Sequence, residues 1–345
     1  MRKKYLPFIA IAIMTFFVAC SNEDFITEEN TDPQVEGRTI SLTASIPDEE
    51  PATRVTLIED GKNIAVTWTT DDRIDLVFVK AGQAMVRQRP QVTSVSNNGK
   101  TAHFAIVIPN NFTGEFTLYG VHGGRGTSTT AGSENLALLP TNPGSTSTLG
   151  SLQTPTDNRK MMLYFKHVMQ ATDTDASVSF QHLGSLFAIS FNNTVNPSPT
   201  AGVTGARLVG VDASGVPLEE GKWAFNNGLG GQVFDLITEQ FEDISTAGNY
   251  ISFSTAGTTW AVEQTTTLWG WYPPIPNQAW PALRLVMTNS SDGEVLSSAN
   301  FKSARETPPE AGKVYHFYAR WNGTNLIFTD HTYLTPSPAL PPVTN

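Results

Sequence analysis

The sequence predicts an all-β protein built from two tandem antiparallel β-sandwich domains. Apolar and polar residues alternate in many short segments, and Asp-Gly or Asn-Gly pairs separate several of them. No segment carries a sustained apolar stripe of helical period, so any helices should be short. Charged residues make up 16% of the chain. This low share fits strands and polar turns better than surface helices, which are usually rich in Glu and Lys.

The first half contains the clearest strand signals. Ile40, Leu42, Ala44 and Ile46 alternate with polar residues and predict a first strand, which should end at the following Pro47. An Asp-Gly pair then predicts a hairpin, and a long loop with at most one short strand should follow Gly123. The other strands of this half are predicted near residues 74–78, 102–108, 116–121 and 161–169.

The second half repeats this logic, with strands predicted near residues 178–180, 187–191, 208–211, 222–225, 283–287, 315–321 and 326–328. A polar run after Ala171 suggests the change of domain. The predicted organisation is therefore a signal peptide (1–19), an acidic tether (20–38), an N-terminal sandwich (39–170), a C-terminal sandwich (171–330) and a Pro-rich tail (331–345).

The start of the chain has the pattern of an export signal. Three basic residues precede an apolar run, and Cys20, the one cysteine in the sequence, follows it. The run is shorter than the about 20 residues that a membrane-spanning helix needs. It resembles the lipobox of bacterial lipoproteins, with Phe17 in place of the usual leucine. The resemblance implies a lipid, palmitate included, on Cys20 that anchors the chain to the outer membrane; the alternative is an ordinary secretory signal followed by a free thiol.

Composition and motifs argue against several functions. Removal of residues 1–19 takes away three positive charges and moves the formal net charge from −10 to −13, which disfavours nucleic-acid binding. The six histidines show no metal-ligand spacing, and no nucleophile elbow is present. We therefore expect no enzyme activity, no cofactor and no metal, and we interpret His182 as a packed core histidine.

Three motifs in order along the chain resemble segments of fimbrillin-like proteins, which are fimbrial and adhesin lipoproteins of Bacteroides-type bacteria. The first is the lipobox, the alternating strand, an exposed Thr-Arg and a hairpin that leads to Asp72-Arg73-Ile74. The second is the segment from Phe180 to Leu186, and the third is Ala-Gly-Lys-Val-Tyr at 311–315. The resemblance covers nearly the whole chain and implies two transthyretin-like sandwiches and a role in surface fimbriae or cell adhesion.

The resemblance also implies a mode of assembly. An arginine-specific protease would cut after Arg54, the first strand would leave, and a strand from another fimbrial subunit would fill the groove by β-augmentation. Cleavage after Arg38 is a second possibility, but it would leave the strand attached. The tail contains four prolines and is a poor donor strand. These features leave the roles of subunit, anchor and tip open.

A cluster of aromatic residues raises an alternative function. Trp269, Trp271, Tyr272 and Trp280 lie in a proline-rich segment, and such rings could stack on sugars in a monomeric glycan-binding lipoprotein. The other interpretation is that Trp269 and Trp271 point from one strand into a sandwich core.

Overall fold

Nearly all of the regular structure is β-strand, which confirms the predicted fold class; the exception among the described residues is one turn of 3-10 helix at Asn97–Gly99. The computed structural model of the chain describes residues 35–46, 58–60, 63–65, 67–139, 159–193, 203–219, 233–242, 249–254, 264–273, 279–289 and most of 291–329. The predicted signal peptide, most of the predicted tether and the Pro-rich tail lie outside these ranges.

Two sheets form the first half. Their strands, numbered in chain order, are β1 (Gly37–Ser45), β4 (Asp75–Val79), β5 (Val86–Gln88), β6 (Val92–Ser96), β7 (Thr101–Pro109), β8 (Glu115–Gly124), β10 (Arg159–Gln170), β11 (Asp175–Ser179) and β12 (Gln181–His182). Sheet 1 has the order β11-β1-β7-β6 and sheet 2 the order β12-β10-β8-β4-β5. A separate hairpin pairs β2 (Ile58–Asp60) with β3 (Asn63–Ala65). The apolar faces of the two sheets pack together, with Leu42, Leu76, Phe104 and Phe165 in one buried core.

The second half has the same construction. Its strands are β13 (Ser185–Asn193), β14 (Gly205–Val211), β17 (Tyr250–Ser254), β18 (Gln264–Tyr272), β19 (Ala282–Thr288), β20 (Glu294–Ser297), β21 (Val314–Trp321) and β22 (Leu326–Thr329). Sheet 3 has the order β18-β13-β21-β22 and sheet 4 the order β17-β14-β19-β20. Phe191, Leu208, Phe253 and Phe317 lie in the core between them.

The strand orders of the two halves correspond. The order β11-β1-β7 in sheet 1 matches β21-β13-β18 in sheet 3, and β10-β8-β4-β5 in sheet 2 matches β20-β19-β14-β17 in sheet 4. In each half the first long strand has a parallel neighbour on one side and an antiparallel neighbour on the other. The described chain is therefore a topological repeat, with β1 and β13 in equivalent positions.

A small three-stranded sheet connects the halves. Strand β9 (Leu136–Leu138) comes from the long loop of the first half, and it pairs with β15 (Val233–Asp235), which in turn pairs with β16 (Gln240–Phe241). An apolar cluster fills the space beside this bridging sheet, with Val77 and Tyr119 from sheet 2, Phe234 from β15 and Trp269 from sheet 3. Pairing and burial together hold the halves in contact.

A buried ion pair fixes the loop that carries β9. Arg87 donates a hydrogen bond to the Asp75 carboxylate and another, over 2.9 Å, to Oγ1 of Thr127. Gly126 packs against Asp75, and its φ of +78° suits glycine. Burial raises the pKa of Asp75 despite the neighbouring Arg87 and Arg89. The loop that leads to the bridging sheet is thus tied to the edge of sheet 2.

The structure places two boundaries differently from the sequence analysis. Strand β11 pairs with β1, and Phe180 lies in the core of the first half, so the change of sheet follows His182 and not Ala171. The polar run after Ala171 is a tight turn, in which the Asp173 amide donates to the Gln170 carbonyl. Strand β1 also begins at Gly37, within the predicted tether, because Gly37 and Arg38 pair with β7.

Candidate functional site

The predicted first strand lies in the middle of sheet 1, between β7 and β11. It pairs with β7 in antiparallel register over its whole length, from Gly37 opposite Pro109 to Ser45 opposite Thr101. It pairs with β11 in parallel register from Ser41 onward. A strand with neighbours on both sides uses its backbone hydrogen bonds in both ladders. Loss of β1 would therefore leave a slot with two unpaired edges.

The side chains of β1 confirm the predicted alternation. Ile40, Leu42, Ala44 and Ile46 are buried in the core of the first half, with Leu42 and Ala44 fully inaccessible. The intervening side chains face outward and are exposed or half-buried. Burial of each large apolar side chain stabilises the strand by roughly 1.5–3 kcal/mol. The slot is therefore a row of apolar pockets, with a small one at Ala44.

The N-terminal end of β1, here called its first end, makes close contacts with the neighbouring strands. A Cβ atom on Gly37 would overlap the carbonyl oxygen of Ile108 and would lie 2.8 Å from Cγ1 of Val107. Nη2 of Arg38 donates hydrogen bonds to the carbonyl oxygens of Ala171 at 2.6 Å and Asp173 at 2.5 Å. Both acceptors belong to the turn between β10 and β11. This end is therefore specified by residue type as well as by backbone pairing.

The C-terminal end of β1, here called its second end, is held mainly by backbone contacts. The Ile46 amide donates to the Lys100 carbonyl over 3.1 Å, and the Ser45 carbonyl accepts from the Phe180 amide at 2.9 Å. Oγ of Ser45 also donates to the Val178 carbonyl over 3.2 Å.

The structure locates some of the predicted site residues. Cys20 and Arg54 lie outside the described residues, so lipidation and cleavage there stay predictions. Arg38 lies within β1, where its backbone is part of the ladder with β7 and its guanidinium is bonded to the β10–β11 turn. Proteolysis is favoured at exposed, unpaired segments, so we expect the intact strand to protect the bond after Arg38.

The aromatic cluster is buried. Trp269 and Trp271 are 3% and 0% exposed and belong to the apolar cluster between the halves. Tyr272 and Trp280 are 1% and 4% exposed and belong to the core of the second half. The interpretation of these residues as glycan contacts is therefore wrong for this structure, because their rings are covered by protein and no ring surface is left for a sugar.

Two other kinds of feature are absent from the described part of the chain. No group of His, Cys, Asp and Glu side chains is arranged to hold a metal ion there. None of the helical segments there is long and apolar enough to cross a membrane.

Three features of this region do not follow from the residue pattern. These are the parallel pairing of β1 with β11, the bonds of Arg38 to a turn more than 130 residues away, and the bridging sheet. The residue pattern shows which face of a strand is buried, but it does not show which strand lies beside it. The Gly-Arg pair that begins β1 gave one indication of a close contact, because glycine within a strand often marks a close backbone approach.

Solved structures offer distant matches to this chain. A Bacteroides ovatus protein proposed to act in cell adhesion matches 85% of this chain and 96% of its own, with 15% identity and a TM-score of 0.46. A fimbrial assembly protein from Parabacteroides distasonis matches 84% of this chain and 94% of its own, with 10% identity and a TM-score of 0.37.

A third match is a Bacteroides thetaiotaomicron protein proposed to bind polysaccharide, with 84% of this chain and 96% of that one covered, 10% identity and a TM-score of 0.40. The first two proteins are named for cell adhesion and fimbrial assembly. No protein-family model and no curated protein matches the sequence.

Proposed function

We propose that the chain is a lipid-anchored surface protein that acts in cell adhesion as a fimbrial subunit, anchor or tip, and that its first strand is exchangeable. Cell adhesion is also the role named for similar solved structures. We extend that role to this chain only as a proposal. The observation that carries the proposal is the position of β1. It is a central strand of sheet 1, yet it is the first strand of the described chain.

Cleavage after Arg54 would leave β1 attached to the molecule only through non-covalent contacts. The cut would separate the segment up to Arg54 from Val55 onward, and β1 would then be a bound peptide in the slot between β7 and β11. A strand from another subunit that offers the same alternation could replace it, because both ladders and the pockets under Ile40, Leu42 and Ile46 would be open to it. Such head-to-tail contacts extend into a filament.

The direct test is uptake of a labelled peptide with the sequence of residues 35–46. The mature chain is cut with an arginine-specific protease, and uptake is measured by fluorescence anisotropy against the uncut chain. The Arg54→Ala variant, treated with the same protease, is the matched control. We expect uptake by the cut chain alone. A cut chain that takes up no peptide, or an uncut chain that takes it up equally, would contradict strand exchange.

A further inference from the structure

The apolar pattern of β1 leaves its register ambiguous. Buried residues recur at every second position from Ile40 to Ile46. A strand that slipped by two residues would keep its apolar side chains on the core face, since side chains alternate with a period of two. The two ladders would also re-form after such a slip. The alternation and the backbone bonds therefore do not by themselves select one register.

Besides the small pocket at Ala44, the contacts that break this degeneracy lie at the first end of the strand. Close approach of Ile108 leaves no room for a Cβ atom at position 37. A slip by two residues would bring Val35 or Thr39, according to its direction, to the place of Gly37, and either side chain would collide with the Ile108 carbonyl. The same slip would move the guanidinium of Arg38 by about 6–7 Å, the length of two strand residues. Only the observed register avoids the collision and keeps the arginine beside its acceptors.

The acceptors of Arg38 are fixed in place by hydrogen bonds within their turn and to the residue that precedes β8. The Ala171 amide donates to the Gly114 carbonyl over 2.8 Å, and the Asp173 amide donates to the Gln170 carbonyl over 3.0 Å. The Asp173 carboxylate accepts from the Gln170 amide at 2.8 Å. The two carbonyl oxygens therefore form a preset acceptor pair for a planar guanidinium, whose hydrogen bonds are charge-assisted.

We propose that Gly37 and Arg38 form a register key, which determines the register of the strand in this slot and which strands the slot accepts. This inference rests on the proposed function and names the partner more closely. The incoming strand carries glycine and arginine at the third and second positions before its first buried apolar residue. It runs antiparallel to β7 and carries a small residue at the position of Ala44.

The key also delays the departure of β1. The ladder with β11 begins at Ser41. Before Ser41, the contact of β1 on that side is made by the guanidinium of Arg38. After cleavage beyond Ile46 the second end is free to fray, and the strand leaves fully once the first end is released. An incoming strand with its own arginine replaces these bonds as it enters.

The test uses competition between peptides for the cut chain. Unlabelled peptides of residues 35–46, either native or with one substitution, displace the labelled native peptide. We expect the Arg38→Ala peptide to compete about tenfold more weakly than the native one, and the Gly37→Val peptide to lose at least as much. The Ser41→Ala peptide, changed on the exposed face, is the matched control and should compete within about twofold of the native one. Equal competition by all four peptides would overturn the register key.

A second measurement does not depend on strand exchange. In the intact full chain, the Arg38→Ala variant should raise the hydrogen-exchange rate of the β1 amides about tenfold. Arg73→Ala is the matched control, because Arg73 is an exposed arginine of the same half that donates to the Gln91 side chain over 3.0 Å. Unchanged exchange in Arg38→Ala would overturn the key. Faster exchange together with no peptide uptake by the cut chain would support the key and contradict the proposed function.

Discussion

At the residue scale, the smallest side chain on the buried face of β1 defines the tightest part of the slot. Ala44 lies opposite Ala102 on β7 and beside Val178 on β11, and both alanines are fully buried. Close-packed interiors do not accept large additions of volume at such positions. Ala44 therefore limits which strands fit, just as Gly37 does at the first end.

We predict that Ala44→Phe destabilises the protein by about 1–3 kcal/mol and opens β1 in preference to the rest of sheet 1. The ring cannot fit between Ala102 and Val178 without displacement of the strand. Chemical denaturation measures the loss, and hydrogen exchange of the β1 amides locates it. Ser41→Phe, on the exposed face of the same strand, is the control and should cost much less. Equal losses from both variants would argue against a tight pocket.

At the element scale, the bridging sheet joins the halves through polar and apolar contacts. Nδ2 of Asn135 donates to Oδ1 of Asp235 at 2.7 Å, and Nζ of Lys166 donates to Oε1 of Glu239 at 2.7 Å. Burial acts to raise the pKa of Asp235, but hydrogen bonds from Asn135 and from residues 237 and 238 outweigh it and lower the pKa. Phe234 adds the apolar part, since its ring packs edge-on against Tyr164 at 5.2 Å between centroids.

We predict that Phe234→Ala costs about 3–5 kcal/mol and uncouples the two halves. The ring fills the cluster between them, so its loss weakens the contact more than either core. Hydrogen exchange of β7 and of β19 during denaturation measures the coupling. The two strands should open together in the native chain and separately in the variant. Phe253→Ala, inside the core of the second half, is the control, and coincident opening in Phe234→Ala would contradict the coupling.

At the scale of the whole molecule, two half-buried histidines make the fold sensitive to acid. Burial lowers the pKa of His182 and of His316 from 6.5 to about 4. His182 packs against Gly312, and His316 packs edge-on against Trp269 with 5.6 Å between ring centroids. In the unfolded chain both rings bind a proton near pH 6.5. The unfolded state therefore binds more protons than the folded state between about pH 6.5 and pH 4.

The free energy of unfolding should accordingly fall as the pH drops from 7 to 4, by on the order of 1–3 kcal/mol for each histidine. Below about pH 4 the contribution of the two histidines is lost, and they no longer change the free energy of unfolding. Denaturation at a series of pH values measures the slope in the native chain and in a His182→Gln, His316→Gln double variant. The double variant should show the smaller slope over this window. Equal slopes would mean that these two side chains are accessible to protons in the folded protein.

Much of the architecture follows from local pattern. The alternation of Ile40, Leu42 and Ala44 predicts both the first strand and its buried face, and the same holds for β7. For β19 and β21 the alternation predicts the strand, but neighbouring residues on both faces are buried. The partners of these strands do not follow from pattern. Strand β1 meets β11 across more than 130 residues, and a period of two is equally compatible with many pairings.

The candidate site was predictable in part. The first strand could be identified from its sequence. The hydrogen bonds of Arg38 could not, because their acceptors are backbone carbonyls that any residue supplies. The tryptophans illustrate the opposite problem. Their clustering near prolines is compatible with an exposed platform or a buried strand, and the face that a neighbouring sheet covers decides between them.

Whether β1 is a removable strand can be measured from the N-terminal sequence and mass of the surface-exposed form, with and without an arginine-specific protease. We predict a new N-terminus at Val55 after protease, with Arg54→Ala left uncut there. A chain that still begins at acylated Cys20 after protease would contradict it, since β1 would then remain a permanent part of sheet 1.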